Sequence, residues 1–175
     1  MVDDLAAIVG ERVRAARLER GLSLGALAQA AGVGKGSLSE IEHGARNPTL
    51  GTLYALANAL ALPLASLLSG RAGARLVAPG IEARLLDVST TAGWTVEVYR
   101  MTFQPGAERR AGGHGAGVVE HLLVTAGRLR AGPVGAEREL GAGEAGEWVS
   151  DVEHTYVALG DVPVEAVVVI RSPVG

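Results

Sequence analysis

Side chains that commonly bind metal ions stand close together in the segment HGAGVVEHLLVTAG, residues 114–127. His114, Glu120 and His121 lie within eight residues of one another in it. The segment is either part of a metal site, and so of a candidate enzyme, or the wall of a pocket that only senses a ligand. In a strand, successive side chains point to opposite faces. Glu120 and His121 therefore cannot both face the interior of a β domain.

The composition and the charge exclude several classes of protein. The 175 residues include no cysteine, which excludes disulfides, thiol catalysis and cysteine-bound metals. Residues 1–70 hold six acidic and six basic residues, and residues 71–175 have a net charge of −3, so neither half grips nucleic acid by charge alone. The N-terminus is acidic before it is basic, unlike a secretory signal, and the most apolar run is too short to span a bilayer. We therefore expect a cytoplasmic protein with no membrane association.

The chain divides into two halves with different hydrophobic periods. Apolar residues recur at helical spacing over residues 1–69, where Ser23 and Thr49 can cap helices, and five helices are predicted there. Residues 70–75 have the composition of a linker. Over residues 76–175, β-branched segments alternate with turns, which predicts an antiparallel sandwich or barrel. The strand-like segments are 83–89, 94–103, 118–132, 147–159 and 164–172.

The segment LSLGALAQAAGVGKGSLSEIEHGARNP, residues 22–48, has the pattern of two short helices joined by a glycine-containing turn. It contains an LAQ run, a small-residue turn, an S-x-I-E-x-G run and an R-N-P loop. With these motifs, residues 8–68 resemble the phage-repressor-like (XRE) helix-turn-helix domain. The resemblance implies an all-α, five-helix, lambda-repressor-like fold whose recognition helix enters the major groove of DNA.

The resemblance also assigns DNA-binding residues by position. Lys35, Gly36 and Glu40 correspond to the face that meets base edges, where a lysine can donate to guanine and a glutamate can accept from cytosine. Gly34 stands where the family usually has a Ser or Thr cap, so the recognition helix is expected to be weakly capped. The remaining DNA-binding positions are Ser39 and those that match phosphate contacts, Gln29, Ser37, His43, Arg46 and Asn47.

The second half resembles a cupin, a double-stranded β-helix barrel, over residues 95–170. Glu120 is followed by six residues and then Gly127, which is the spacing of the end of the first cupin motif. Trp148 and His154, six residues apart, match the second motif. The full chain therefore resembles regulators that join an XRE domain to a cupin domain.

The cupin resemblance implies a set of metal ligands. It places His114 at the first histidine position of the motif and Ala116, which cannot bind a metal, at the second. The implied ligands of a divalent metal are then His114, Glu120 and His154, and two histidines with a carboxylate suit iron(II). The alternative is a metal-free pocket in which Glu120 and His154 form a hydrogen-bonded pair.

An effector pocket is expected inside the barrel, and it is assigned to Arg100, Glu120, His154 and Tyr156. Alternation leaves two choices for the inward side chains of residues 94–103. These are Trp94, Val96, Val98 and Arg100, or Thr95, Glu97, Tyr99 and Met101. An inward Arg100 would be a natural binder of a carboxylate or phosphate. Two further arginines, Arg109 and Arg110, follow a QPGAE turn and are expected to be solvated.

A transcriptional regulator is the function that the two resemblances favour. The helical half would bind operator DNA, and the barrel would dimerise and sense a small molecule without requiring a cofactor. A homodimer would read two half-sites about 34 Å apart. The alternatives are an iron-dependent cupin oxidoreductase or epoxidase, whose helix-turn-helix-like domain helps close the active site, and a metal-free binding module without affinity for DNA.

Overall fold

The computed structural model describes residues 3–68 and 73–174. The chain forms two compact units, Met1–Ala74 and Arg75–Gly175. Residues 70–72 of the predicted linker lie outside the described residues, and Arg75, its last residue, already belongs to a strand. In the ranges that are described, no helix is long and apolar enough to cross a membrane.

The first unit contains, in its described residues, the helices α1 (Asp3–Glu19), α2 (Leu24–Ala30), α3 (Lys35–Glu42), α4 (Leu50–Ala59) and α5 (Leu64–Leu67). Local caps explain where two of them begin. Ser23 accepts a hydrogen bond from the backbone N–H of Ala26 at 3.1 Å, and Thr49 accepts one from that of Thr52 at 3.2 Å. In contrast, α3 begins at Gly34 without a side-chain cap, as the sequence predicts.

A buried ion pair joins α1 to the C-terminal end of α3. Arg17 donates from Nε to Glu42 Oε1 at 2.6 Å and from Nη2 to Oε2 at 2.8 Å. Its Nη1 also donates to the carbonyl of Leu22 at 2.9 Å. The two charged side chains are 11 % and 3 % exposed. The bidentate geometry therefore offsets the desolvation of both charges. The surrounding apolar core includes Val13, Leu27, Leu38, Ile41, Leu53 and Leu56.

The second unit contains, in its described residues, the strands β1 (Arg75–Ala78), β2 (Ile81–Thr91), β3 (Trp94–Phe103), β4 (Glu108–Ala111), β5 (Val119–Ala126), β6 (Arg128–Pro133), β7 (Arg138–Gly141), β8 (Ala145–Val149), β9 (His154–Leu159) and β10 (Val164–Pro173). They form a six-stranded sheet of order β1-β2-β3-β10-β5-β8 and a four-stranded sheet of order β4-β9-β6-β7. The recorded pairings are all antiparallel. The prediction of five helices followed by an antiparallel β domain is confirmed.

Three short strands, β1, β4 and β7, add to the predicted set. β4 reads ERRA and β7 reads RELG, and neither has the alternating β-branched pattern that indicates a strand. The predicted strand at 147–159 is divided at residues 150–153 into β8 and β9, which belong to different sheets. β1 and β7 pair with their chain neighbours β2 and β6, whereas β4 pairs with the distant β9, so pairing rather than the local pattern produces these short strands.

We predict that Arg17→Met destabilises the helical unit by about 3 kcal/mol, because it leaves the buried carboxylate of Glu42 without its partner. Urea unfolding followed by far-ultraviolet circular dichroism measures this change. Arg46→Met is the matched control: Arg46 pairs with Glu40, both side chains are 56 % exposed, and the loss should stay below about 1 kcal/mol. Equal losses in the two variants would contradict a special role for the buried pair.

Candidate functional site

Three side chains of the predicted metal site meet in the interior of the β unit. Glu120 lies on β5, His154 begins β9, and His114 lies in the loop between β4 and β5. Each of the three side chains offers one potential ligand atom, and these three atoms all lie within 4.8 Å of one another. Ala116, at the position of the second motif histidine, is exposed. His121, next to Glu120, is turned outward and its side chain is 37 % exposed.

The loop that carries His114 is held against the segment that follows β8. The backbone N–H of His114 donates to the carbonyl of Ser150 at 2.6 Å. A Cβ atom on Gly113 would lie 2.3 Å from the carbonyl oxygen of Asp151, so only glycine permits this close approach. The glycines beside His114 therefore allow the loop to pack tightly, and the histidine side chain is only 6 % exposed.

Glu120 is a carboxylate, 1 % exposed, that is surrounded by hydrogen-bond donors. Tyr156 donates its hydroxyl to Oε1, and Ser150 donates its hydroxyl to Oε2 at 2.6 Å. Nε2 of His154 lies 3.2 Å from Oε2, and Nε2 of His114 lies 3.7 Å from the same oxygen. Two hydroxyls thus fix the orientation of the carboxylate, and one of its oxygens faces both imidazoles.

The surroundings of His154 determine which of its ring nitrogens carries a proton. Nδ1 lies 3.0 Å from the carbonyl oxygen of Val152, which can only accept, so Nδ1 carries the hydrogen. In the neutral ring, Nε2 then presents a lone pair to Oε2 of Glu120. Two facing lone pairs repel each other, and either a second ring proton or a cation between the two atoms removes this repulsion. Metal-binding histidines are commonly held in this way by a carbonyl on the other nitrogen.

Burial lowers the pKa of the His114 imidazole to about 4 because the ring is largely removed from water. The carboxylate of Glu120 acts in the opposite direction, and the charges of His154 and Arg109 lower the pKa further. His114 is therefore neutral near pH 7 and has a lone pair to offer. Two imidazoles and one carboxylate suit a divalent transition metal such as iron(II) or zinc(II), so the residues present fit such an ion.

Arg100, predicted to line the effector pocket, points away from it. The buried side chains of β3 are those of Thr95, Glu97, Tyr99, Met101 and Phe103. Arg100 lies on the opposite face, where it is exposed and donates to Glu165 of β10 at 3.1 Å. The prediction for Arg100 is wrong because alternation alone does not tell which face of a strand is the inner one.

Arg109, predicted to be solvated, is half-buried on the inner side of β4. It lies directly opposite Tyr156 of β9, and directly opposite residues in an antiparallel pair share a face. Its neighbours Glu108 and Arg110 are exposed, and Arg110 pairs with Glu153 at 2.6 Å. The expectation of solvation therefore describes Arg110 and is wrong for Arg109.

Aromatic rings and Ser150 complete the site, and Ser150 is not among the residues predicted from the sequence. Tyr156, assigned to the effector pocket, lies in the interior beside Glu120, with its ring centroid 5.9 Å from that of Phe103. Trp148 is 8 % exposed, and its ring lies 6.2 Å from His154 and 6.1 Å from Tyr156. Ser150 comes two residues after Trp148, and side chains two apart in an extended chain point to the same face. Extending this rule past the end of β8 would have identified Ser150 as inward.

The predicted DNA-binding residues lie between α2 and the start of α4. Those that are exposed are Gln29, Lys35, Gly36, Glu40, His43, Arg46 and Asn47, whereas Ser37 and Ser39 are half-buried. Arg46 donates from Nη1 to Oγ of Ser37 and to Oε2 of Glu40, both at 3.2 Å. These contacts orient the carboxylate of Glu40 on the outer face of α3, where its spacing from Gly36 puts both on one side of the helix.

Comparison with known proteins places the helical unit in a family. Residues 13–67 match the model of the HTH_3 family, described as helix-turn-helix. The HTH-type transcriptional regulator SutR of Escherichia coli is 27 % identical over 159 residues, which cover 89 % of each protein. The transcriptional regulator ClgR of Mycobacterium tuberculosis is 36 % identical over 90 residues, which cover 51 % of this chain and 80 % of that protein.

Solved structures show similar folds for both units. An HTH_3 family transcriptional regulator from Vibrio cholerae has a TM-score of 0.84 and 24 % identity, and the match covers 99 % of each chain. The cupin_2 domain of an XRE family transcriptional regulator from Enterobacter cloacae has a TM-score of 0.50 and 25 % identity, and the match covers 54 % of this chain and 98 % of that domain. The β unit therefore has a cupin-like fold.

We predict that the metal-free protein loses stability as the pH falls from about 6.5 to about 4. The imidazole of His114 has a pKa of about 4 in the folded protein, against 6.5 as its ordinary value. In this window the unfolded chain binds the proton more tightly, so protonation favours unfolding, and the stability is complete above pH 6.5. The full difference amounts to about 3 kcal/mol, and thermal unfolding in chelator at a series of pH values measures it.

Two variants locate the origin of this pH dependence. His114→Gln removes the titrating group and should flatten the dependence, whatever its effect on the stability at neutral pH. His121→Gln is the matched control, because its side chain is exposed and should leave the dependence intact. The prediction fails if His114→Gln unfolds with the same pH profile as the wild type.

Proposed function

Because the chain belongs to the HTH_3 family of XRE-type helix-turn-helix transcriptional regulators and also contains a cupin-like β domain, we propose that it is a ligand-responsive regulator of transcription in the cytoplasm. In this proposal the helical unit binds operator DNA and the β unit binds a small molecule. The observation that carries the sensor role is the polar cluster of His114, Glu120 and His154, which is buried in a largely apolar interior. Buried charged groups are costly, so a purely structural core would not favour them.

Operator binding is supported by the exposed side chains around α3. In this proposal the exposed Lys35 donates to a guanine, and the exposed Glu40, which contacts Arg46, accepts from a cytosine. Residues 1–70 have no net charge, so a single helical unit gains little from the phosphate backbone and should bind weakly. Two units acting together overcome this weakness, which favours a homodimer on two half-sites.

Dimerisation of the β unit is supported by an aliphatic patch on the outer face of its larger sheet, which Arg100 and His121 border. Val98 of β3 lies beside Val169 of β10, and Val167 lies beside Leu123 of β5. Leu123 is 41 % exposed and the three valines are partly exposed. A contiguous aliphatic surface on neighbouring strands is typical of an interaction site, and a twofold contact through one such face closes after two copies.

A divalent metal ion forms part of the proposal. His114, Glu120 and His154 would hold it, and the hydroxyls of Ser150 and Tyr156 would keep the carboxylate in place. When bound, the ion supplies a Lewis acid that attracts oxygen atoms of a ligand. The support is the buried Nε2 of His154, which has no hydrogen-bond partner among the described residues and faces the carboxylate oxygen at 3.2 Å. A ligand at this site can regulate DNA binding only by favouring one of two arrangements of the protein.

The DNA-binding proposal predicts different effects for two variants. In selection from random duplexes, the wild type should enrich a palindrome whose half-sites lie about 34 Å apart. Lys35→Ala should lose discrimination at one base position, by about 1–3 kcal/mol, whereas Gln29→Ala should weaken all sequences alike. Arg14→Ala, an exposed charge on α1, is the control. Failure of the wild type to enrich any sequence contradicts the proposal.

The dimer is tested in the same assay. Val169→Glu places a charge in the aliphatic patch and should yield a monomer that no longer selects a palindrome. Val162→Glu is the control, because Val162 is 54 % exposed and lies outside the strands. Sedimentation measures the oligomeric state, and a wild-type monomer at micromolar concentration would contradict the proposed dimer.

The metal proposal predicts about one divalent ion per chain in protein purified without chelator. Elemental analysis should find little metal in His154→Gln, because the variant removes one ligand, and normal metal in His121→Gln. Wild-type protein that takes up no iron(II), zinc(II) or manganese(II) would contradict this part and leave a metal-free sensor. Oxygen consumption by the iron-loaded protein would instead favour the oxidoreductase alternative.

A further inference from the structure

The C-terminal end of α3 is closed by a Schellman motif, which sets the direction of the chain beyond the helix. The backbone N–H of Gly44 donates to the carbonyl of Ile41 at 2.9 Å. That of Ala45 donates to the carbonyl of Glu40 at 2.9 Å. Gly44 has a φ of 68°, and a Cβ atom built there would lie 2.9 Å from Cα of Ala7 in α1. The hydrogen bonds and the contact with α1 therefore hold this turn in place, and only glycine fits it.

Arg46 follows this turn, and its side chain returns along the outer face of α3. Its Nη1, which has two hydrogens, lies 3.2 Å from Oγ of Ser37 and 3.2 Å from Oε2 of Glu40. Ser37 belongs to the first turn of α3 and Glu40 to the next, so the guanidinium bridges two successive turns. The side chains of Arg46 and Glu40 are each 56 % exposed, so a duplex can reach this contact from the solvent.

Glu40 is the carboxylate on the side of α3 that the proposed function places against base edges. Gly36, four residues earlier, lies on the same side of the helix, and a Cβ atom built there would lie in open space. A base can therefore approach the carboxylate closely. Arg46 contacts Oε2, and both oxygens of a carboxylate are acceptors, so Oε1 can accept from the amino group of a base.

We propose that Arg46 is a positioning residue for base recognition, which holds Glu40 in the orientation in which its carboxylate accepts a hydrogen bond from a cytosine. The inference rests on the proposed function, in which the helical unit binds operator DNA. The family resemblance assigns Arg46 to a phosphate, and such a contact carries no sequence information. In the proposed role Arg46 determines sequence specificity without touching a base.

Two physical effects make this arrangement favour a cytosine. A glutamate side chain has several rotatable bonds, and ordering it in a complex costs conformational entropy. The contact with Arg46 orders the side chain before DNA arrives, so less of this cost falls on the binding step. The positive charge of Arg46 also offsets the repulsion between the carboxylate and the phosphates. Glu40 can therefore discriminate between bases without weakening the binding of every sequence.

Selection from random duplexes, followed by affinity measurements on single-base variants of the selected operator, tests the proposal. Glu40→Gln identifies the base pair that Glu40 reads, because a glutamine prefers adenine and should replace the preference for cytosine there. Arg46→Ala should lower the preference for cytosine at the same base pair by about fivefold and leave the other positions unchanged. An exposed ion pair adds little to stability, so the variants should remain folded, which far-ultraviolet circular dichroism checks.

A double-mutant cycle separates positioning from a phosphate contact. If Arg46 acts through Glu40, Arg46→Ala changes the preference for cytosine in the wild type and has no effect on it in Glu40→Ala. Arg46→Lys retains the charge and should keep the salt dependence of the wild type. It should recover only part of the preference, because an ammonium group lacks the planar geometry of a guanidinium. Arg14→Ala, which removes an exposed charge from α1, is the control and should leave the preference intact.

The outcomes distinguish failure of the inference from failure of the proposed function. The inference is overturned if Arg46→Ala weakens all sequences alike and lowers the salt dependence by about one phosphate contact. It is also overturned if the effect of Arg46→Ala on the preference is the same with and without Glu40, or if Glu40→Gln changes no base preference. Operator binding, and with it the proposed function, survives each of these results. Wild-type protein that selects no sequence would contradict both.

Discussion

Burial of the Glu120 carboxylate is the constraint on which the β unit depends. A charge without water must be compensated by hydrogen bonds or by opposite charge, or folding fails to bury it. The compensation comes from both sheets, since Ser150 follows β8 of the larger sheet whereas Tyr156 and His154 belong to β9 of the smaller one. The carboxylate therefore fixes the relation between the two inner faces, and the same contacts that stabilise it also shape the site.

The helical unit depends on a comparable interaction at a different point. Arg17 and Glu42 connect α1 to the C-terminal end of α3, so the end of the recognition helix that lies away from Lys35 is tied to the core. The other end begins at Gly34 without a side-chain cap. Arg46, which contacts Ser37 and Glu40, adds order on the outer face. The first turn of α3, which is proposed to contact bases, thus depends more on surface contacts than the remainder of the helix does.

The parts of this structure that the sequence predicts are those that depend on near neighbours. The caps at Ser23 and Thr49 involve residues three positions away, and motif spacing was sufficient to pair Glu120 with His154. The faces of Arg100 and Arg109 depend on which strands pair and in which register, which no local pattern contains. β4, with three charged residues in four, is a strand because β9 lies beside it, more than forty residues later.

The side chains of Arg109 and Arg110 lie on opposite faces of β4, and this has an evolutionary consequence. Both are arginines on one short strand, and only their alternating positions decide that one side chain faces the interior and the other the solvent. Inserting or deleting one residue in β4 would exchange them and so move the inward charge outside. Changes of the inward charge among descendants of this domain should therefore proceed by substitution at fixed positions of the strand. Length variation should be confined to connections such as residues 104–107, where no strand register is at stake.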